Sequence, residues 1–107
     1  MSSPFFSVII PTFNRKGSLR EVLNALSCQE TVPGGFEVIV VIDGSTDGTA
    51  EMLRTLSPPY ALKVLEQENG GASRARNAGA AVAGGEYIAL TEDDVRPATD
   101  WLSKAYA

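Results

Sequence analysis

The sequence contains no histidine and only one cysteine, Cys28, and these two shortages exclude several kinds of site. Without histidine there can be no Ser-His or Cys-His nucleophile pair and no zinc site of the usual Cys/His type. A single cysteine cannot form an intrachain disulfide. Cys28 lies near the end of a predicted helix, and we expect it to fill the core. A bound metal would need oxygen ligands, which favour magnesium, manganese or calcium.

Long apolar runs and a strong charge imbalance are also missing. The stretches Val8–Ile10 and Val38–Ile42 are far shorter than the roughly 20 residues that span a bilayer. No basic segment followed by an apolar run opens the chain, so we expect no signal peptide and a cytoplasmic location, with membrane association only within a longer enzyme. The net charge of −4 gives no reason to expect nucleic acid as a partner.

Short β-branched runs alternate with helix-like segments along the 107 residues. This alternation predicts one α/β domain over residues 1–107, with a Rossmann-like, mostly parallel sheet. The predicted strands cover 6–11, 37–42, 61–66 and 86–91, and Pro11 should end the first. The first predicted helix carries apolar Leu19, Val22, Leu23 and Leu26 at helical spacing. The other predicted helices cover 46–56, 72–83 and 98–106. Ser18 and Glu21 have the spacing of a capping box at the start of the first helix.

Ligands of such sheets bind beyond the carboxyl ends of the strands, so the residues that follow each strand are the site candidates. The segment Pro11–Arg15 follows the first strand and has no glycine-rich fingerprint, which excludes a dinucleotide-binding turn and a P-loop there. The same absence weakens a nucleotidyltransferase interpretation. Phe13 could stack on a nucleobase. Packing of Phe13 against the first helix, with Asn14 as a cap, explains the same residues.

Two aspartates follow the second strand, and we predict different roles for them. Asp43 emerges directly from a buried strand, where a charged group is costly without a partner. Its carboxylate could accept hydrogen bonds from a base N–H or a ribose hydroxyl, so we predict ligand binding. Asp47 is better explained as the N-cap of the next helix.

The acidic triplet Glu92-Asp93-Asp94 follows the fourth strand. Three adjacent carboxylates repel one another, and a divalent cation that also bridges phosphate oxygens would relieve this. An isolated triplet would be a solvated acidic turn. Because this one lies at the same predicted edge as Asp43, we favour the metal interpretation.

The third helix carries Arg74 and Arg76, which are two residues apart and so cannot share a face. Either arginine could contact a diphosphate or pair with a nearby glutamate. We predict that Arg76 faces the site and that Arg74 is exposed.

Taken together, the motifs resemble those of family 2 glycosyltransferases. The resemblance rests on the order and spacing of segments across nearly the whole chain: Ser7–Asn14, Asp43–Asp47, Ala75–Gly79, Gly85–Ala89, and the acidic triplet followed by Pro97 and Trp101-Leu102. It implies a GT-A fold that binds a nucleoside-diphosphate sugar, commonly a UDP-sugar, with Mn²⁺ or Mg²⁺. The activity implied is inverting, hexosyl-type transfer to a saccharide or lipid-linked acceptor.

The resemblance also implies roles for individual residues. Pro11 and Phe13 would border the nucleobase, and Asp43 would hold it. The acidic triplet stands at the family's Asp-x-Asp position, with Asp93 facing the ribose or sugar and Asp94 ligating the metal. Family members usually have aspartate where this chain has Glu92, so we place less weight on Glu92 as a contact.

The family's catalytic base is the main departure, because none of the carboxylates here matches it. In this family the base lies in a second half that also builds the acceptor site. We therefore expect these 107 residues to bind donor and metal without transferring sugar. We also expect the fourth strand to be an uncovered edge that favours self-association.

Two other functions fit parts of the pattern. A receiver-like signalling domain also has acidic residues at strand ends, but it needs an acidic pair after the first strand and a fifth strand followed by lysine. A non-catalytic nucleotide-binding or scaffold module would keep the fold without the chemistry.

Overall fold

The computed structural model describes residues 3–107, so Met1 and Ser2, the first residues of the predicted domain, lie outside it. Within this range strands and helices alternate: β1 (Phe6–Thr12), α1 (Lys16–Leu26), β2 (Phe36–Asp43), α2 (Thr49–Arg54), β3 (Ala61–Gln67), α3 (Ala72–Val82), β4 (Tyr87–Leu90) and α4 (Trp101–Tyr106). The strands form one sheet in the order β3-β2-β1-β4, and every neighbouring pair is parallel. The predicted Rossmann-like α/β fold is confirmed.

The sheet is covered by helices on both faces. Val8 and Ile10 of β1 point to the face that is covered by α1, α2 and α4, whereas Ile9 points to the face covered by α3. The β2 residues Val38–Val41 are all 0% exposed. The unbroken Val/Ile run of β2 therefore reflects a central strand that is buried on both sides, as its sequence predicts.

Helix α3 packs on the sheet at Gly79, where there is no room for a side chain. A Cβ atom added to Gly79 would lie 2.7 Å from Cγ2 of Ile9 and 3.3 Å from Cγ2 of Val41. The small residues predicted to permit a close approach are therefore needed at this contact. This packing fixes the position of α3, which reaches both ends of β2.

Several element boundaries differ from the predicted ones. Strand β1 continues through Pro11 to Thr12, because β4 ends opposite Ile9 and leaves β1 without a neighbour on that side, where a missing N–H is tolerated. The capping box is wrong: α1 begins at Lys16, so Ser18 lies inside the helix, and the cap residue Arg15 makes no side-chain capping bond. Helix α2 begins at Thr49 rather than Thr46, because a loop occupies residues 44–48.

The prediction that Cys28 fills the core is also wrong. Cys28 follows α1 and is exposed, whereas the apolar residues Leu19, Val22, Leu23 and Leu26 of that helix are buried. The helical stripe ends at Leu26, so a residue two positions later turns away from the core. Among residues 3–107, no helix has both the length and the apolar character needed to cross a membrane.

A buried glutamate anchors the amino end of β2, and its importance is not visible from the sequence. Glu37 is 4% exposed, and its Oε2 accepts hydrogen bonds from Ser7 Oγ at 2.6 Å and from the backbone N–H of Gly84 at 2.7 Å. Lys63 Nζ lies 3.0 Å from Oε1. Burial raises the pKa of Glu37, but these hydrogen bonds and the lysine together outweigh it and lower the pKa. The turn after α3 is thereby attached to the sheet.

Candidate functional site

A cleft of about 340 Å³ opens at the carboxyl edge of the sheet. It lies where β1, β2 and β4 end and where α3 begins, as expected for an open parallel sheet. Its lining consists of Pro11, Thr12, Phe13, Arg15, Asp43, Ala72, Arg76, Glu92, Asp93 and Asp94. The fold thus brings together all six of the predicted site residues, which are Pro11, Phe13, Asp43, Arg76, Asp93 and Asp94.

Asp43 is placed at the cleft by the end of β2, and the turn before α3 surrounds its carboxylate. Oδ1 accepts hydrogen bonds from Gln67 Nε2 and from the backbone N–H of Gly70, both at 2.8 Å. Oδ2 accepts from the N–H of Gly71 at 3.0 Å and from Asn69 Nδ2 at 3.4 Å. The hydrogen bond from Gln67 is the main cause of a lowered pKa for Asp43; burial raises this pKa, whereas the two backbone hydrogen bonds and the Arg74 guanidinium lower it further.

These four hydrogen bonds nearly fill the acceptor capacity of the carboxylate, which has about four lone-pair directions. Asp43 therefore has a structural task that its sequence position does not reveal: it shapes the loop that leads into α3. Its longest contact, from Asn69, is the one that a ligand N–H could replace. A receiver-like domain would use Asp43 as its phosphoacceptor, which does not suit a side chain that is 5% exposed and already accepts four hydrogen bonds.

The acidic triplet is divided between a buried and an exposed environment. Asp93 is 8% exposed, and its Oδ2 accepts a hydrogen bond from Thr12 Oγ1 at 2.9 Å, which joins the end of β1 to the segment after β4. Glu92 and Asp94 are exposed. Because glutamate replaces the first aspartate, the chain contains no literal Asp-x-Asp string. The two aspartates of the triplet nevertheless both face the cleft.

Arg15 is the cleft residue that the sequence interpretation missed. Its Nη1 lies 2.8 Å from Oδ2 of Asp94 and 3.5 Å from Oδ1 of Asp93. In the sequence, Arg15 lies 78 positions before Asp93 and 79 positions before Asp94. The available signal was its position directly after β1, at the edge where the triplet was also predicted.

The loops beside the cleft are held by side chains whose roles are structural. Asn14 adopts a positive φ of 50°, and its Oδ1 accepts a hydrogen bond from the N–H of Thr46 at 2.7 Å. It therefore joins two loops rather than capping α1. Phe13 is 47% exposed and lines the cleft, which does not support its packing against α1.

Asp47 has a structural role, but not as the N-cap residue itself. The N-cap of α2 is Gly48, and Asp47 precedes it. Asp47 Oδ1 accepts hydrogen bonds from the N–H and Oγ1 of Thr49, and Oδ2 accepts from the N–H of Lys16 at 3.0 Å. One carboxylate thus satisfies backbone donors at the starts of both α1 and α2.

The two arginines of α3 separate as expected from their spacing. Arg76 is half-buried and lines the cleft, whereas Arg74 is exposed and lies over Gly70. The cleft therefore contains two guanidinium groups, from Arg15 and Arg76. That Arg76 binds a ligand stays a prediction.

The charges that line the cleft do not balance. Four carboxylates, from Asp43 and the acidic triplet, face the two arginines, which leaves a surplus of two negative charges. Within residues 3–107, no group of three or more Asp, Glu, Cys or His side chains is arranged to hold a metal by itself. Asp93 and Asp94 offer carboxylate oxygens to the cleft, and Mg²⁺ is an ion that takes one or two such ligands and completes its shell with phosphates and water.

Known proteins resemble this chain over most of its length. The model of the family "Glycosyl transferase family 2" matches residues 7–107. The glycosyltransferase AglE of Haloferax volcanii is 39% identical over 103 residues, which cover 94% of this chain and 34% of AglE. The poly(ribitol-phosphate) β-N-acetylglucosaminyltransferase TarS of Staphylococcus aureus is 38% identical over 101 residues, 92% of this chain and 17% of TarS. The chain thus spans about a third or less of these relatives.

Solved structures extend the likeness to three dimensions. The structure of S. aureus TarS residues 1–349 in complex with UDP-GlcNAc is 34% identical with a TM-score of 0.85, covering 98% of this chain and 30% of the other. The mannosyltransferase PcManGT from Pyrobaculum calidifontis, in complex with GDP-Man and Mn²⁺, is 34% identical with a TM-score of 0.87, covering 98% and 32%. On the match over residues 7–107 and these relatives, the chain belongs to glycosyl transferase family 2.

Proposed function

We propose that the cleft binds a nucleoside-diphosphate sugar together with Mn²⁺ or Mg²⁺, as the donor site for inverting transfer of a hexosyl group to an acceptor hydroxyl. The observation that carries the proposal is the convergence of Asp43, Arg76, Asp93 and Asp94 on one cleft with a surplus of negative charge. The surplus favours an added cation, and a diphosphate bound with that cation would use Arg76. Similar proteins solved with UDP-GlcNAc and with GDP-Man and Mn²⁺ support this ligand class.

Each lining residue has a task in this proposal. Pro11 and exposed Phe13 form the apolar wall against which a nucleobase can lie. Asp43 holds the loop beside that wall. A base N–H could donate to Asp43 Oδ2 in place of the Asn69 side chain, whose contact there is 3.4 Å long. Asp93, fixed by Thr12, faces the ribose or sugar, and Asp94 is the metal ligand. When bound, the ion supplies positive charge that stabilises the departing nucleoside diphosphate.

We further propose that these 107 residues bind donor without transferring its sugar. Deprotonation of an acceptor needs a carboxylate with a free lone pair facing the acceptor. Asp43 accepts four hydrogen bonds, and Asp93 and Asp94 are paired with Arg15. The remaining cleft carboxylate, exposed Glu92, does not match the family's base in the resemblance. The acceptor, a saccharide or a lipid-linked group, would then meet residues outside this chain. Robust transfer from UDP-GlcNAc by the 107-residue polypeptide would contradict this part.

Thermal-shift titration with UDP, GDP and dTDP, each with and without Mn²⁺, tests the donor site. A ligand that binds the folded state raises the apparent melting temperature. We expect stabilisation by at least one nucleotide, with UDP favoured, and we expect it to require Mn²⁺. In Asp94→Asn the Mn²⁺-dependent part should be lost. The matched control is Glu51→Gln, which removes one negative charge from a side chain that is 74% exposed on α2.

No metal-dependent stabilisation of the native chain by any of the three nucleotides would contradict the proposal. An equal loss in Glu51→Gln would show that net charge, rather than the Asp94 ligand, controls the effect. Nucleotide binding that does not depend on Mn²⁺ would favour a binding module that works without metal.

A second copy of this chain is a proposed partner, which would pair with the outer edge of β4. β4 is the last strand of the sheet in the described residues, and Tyr87, Ile88 and Leu90 are 59%, 48% and 52% exposed. An open edge with apolar side chains favours strand pairing between molecules. We expect concentration-dependent dimers in analytical ultracentrifugation, and we expect Ile88→Lys to abolish them.

A cytoplasmic location stays a prediction, which fractionation of the native host would check.

A further inference from the structure

Arg15 bridges the two aspartates of the cleft with a single nitrogen atom. Nη1 lies 2.8 Å from Asp94 Oδ2 and 3.5 Å from Asp93 Oδ1, so the guanidinium occupies the space that a cation bound by this pair would need. Without that guanidinium the cleft surplus would rise by one more negative charge. Arg15 is therefore the internal cation of the acidic triplet in the structure.

The side chain of Arg15 can leave this position without disturbing the fold. Its carbonyl accepts the N–H of Leu19 at 2.9 Å, and the next residue, Lys16, is held by Asp47, so the backbone is fixed at the start of α1. The side chain is 52% exposed and forms its ion pairs only with Asp93 and Asp94 among the residues described. Partly exposed ion pairs of this kind are weak enough to exchange.

We propose that Arg15 exchanges partners when donor binds. It neutralises Asp93 and Asp94 while the cleft holds no cation, and it turns to the donor diphosphate once a divalent cation binds Asp94 and offsets the charge of Asp93 beside it. The inference rests on the proposed function, because it requires that metal and diphosphate bind here. It adds that Arg15 opposes binding of metal alone and favours binding of metal with nucleotide.

This exchange has two consequences of opposite sign. Metal alone must displace the guanidinium, so removal of Arg15 should tighten metal binding. A diphosphate bound with metal gains a second guanidinium beside Arg76, which also lines the cleft, so removal of Arg15 should weaken nucleotide binding. A purely structural arginine would change both affinities in the same direction. The proposal can therefore be separated from a folding defect.

Calorimetric titrations of the native chain and Arg15→Gln test it. For Mn²⁺ alone, we expect about two- to five-fold tighter binding in the variant, the size of a partly exposed ion pair. For UDP at saturating Mn²⁺, we expect binding weaker by about tenfold, the size of a charged hydrogen bond. Arg15→Lys should retain part of both effects. Arg54→Gln is the matched control, because Arg54 is 70% exposed on α2 and its removal changes net charge equally.

The opposite signs in Arg15→Gln, with neither change in Arg54→Gln, would support the exchange. If native protein binds Mn²⁺ and UDP but Arg15→Gln leaves both affinities unchanged, or weakens both, the exchange is wrong and the donor site stands. Tighter Mn²⁺ binding with unchanged UDP binding would also overturn it, because Arg15 would then only block the metal. If the native chain binds neither, the proposed function fails and this inference with it.

Discussion

The two ends of β2 each hold a buried carboxylate that meets a glycine pair, but only Asp43, at the carboxyl end, lines the cleft together with the acidic triplet. At the amino end, Glu37 accepts the N–H of Gly84, and Ser7 links it to the N–H of Gly85. At the carboxyl end, Asp43 accepts the N–H groups of Gly70 and Gly71. These glycine pairs flank α3, so β2 holds both ends of that helix.

The difference lies in how charge is neutralised. Glu37 has its own cation, Lys63 Nζ at 3.0 Å, and the amino end is complete without a ligand. At the carboxyl end, the cleft lining contains four carboxylates and two arginines, a surplus of two negative charges, although Arg74 outside the lining also acts on Asp43. A buried carboxylate bonded to glycine N–H groups therefore stabilises the fold at the amino end of β2, and at the carboxyl end the same arrangement lies beside a charged cleft. Both ends fix α3, which carries Arg76 to the cleft.

Asp43→Asn should give the largest loss of stability. Four donors converge on the Asp43 carboxylate, whereas asparagine offers one acceptor oxygen and turns an NH₂ group towards other donors. We expect the free energy of unfolding to fall by about 2–4 kcal/mol, measured by urea denaturation. A change below about 0.5 kcal/mol would show that the loop before α3 does not depend on this carboxylate.

Gly79→Ala should disturb both ends of α3 together. The added Cβ would meet Ile9 Cγ2 at 2.7 Å and push the helix from the sheet. We expect a loss of about 1–3 kcal/mol in urea denaturation, as for other overpacked cores. Ala80→Ser, at an exposed position of the same helix, is the control. An unchanged midpoint in Gly79→Ala would mean that the close approach is not needed.

Glu37→Gln should cost less than Asp43→Asn, because glutamine keeps an oxygen for Ser7 and Gly84 and loses only the pair with half-exposed Lys63. We expect a loss of about 1–2 kcal/mol at neutral pH. Nucleotide binding should be unaffected at a temperature where the variant is folded. A loss larger than that of Asp43→Asn would reverse the comparison between the two ends.

Acid should weaken both anchors, and Glu37→Gln should reduce that sensitivity. The pKa values of Glu37 and Asp43 are lowered below 4.5 and 3.8 in the folded chain. A lowered pKa contributes stability above the unfolded value, and this is lost as pH falls through the folded value. We expect stability to decrease below about pH 4.5, with a shallower decrease in Glu37→Gln than in the native chain. Parallel pH profiles of native and variant would contradict this.

The sequence predicts much of this architecture because its signals are local. The Val/Ile run of β2 and the helical stripe of α1 follow from periodicity alone, and the rule on strand ends places Asp43 and the acidic triplet at one edge. The partners of these residues are not local. Glu37 meets Ser7 and Gly84, and Thr12 meets Asp93, at separations that only the folded chain decides.

The errors have the same origin. The capping box failed because Asp47, 31 positions away, holds the N–H of Lys16 and lets α1 begin earlier. Arg15 was missed because its partners Asp93 and Asp94 come from the segment after β4. The prediction for Asp43 identified its place at the cleft, but not the four donors that already surround it.

The central claim is that the carboxyl end of β2, and not its amino end, holds the donor. The most direct measurement is the dissociation constant of UDP at saturating Mn²⁺ for Asp94→Asn and Glu37→Gln, by calorimetry at a temperature where both are folded. We predict binding at least about tenfold weaker than native in Asp94→Asn, as for lost metal contacts, and unchanged in Glu37→Gln. Native affinity in Asp94→Asn, or equal losses in both variants, would contradict the claim.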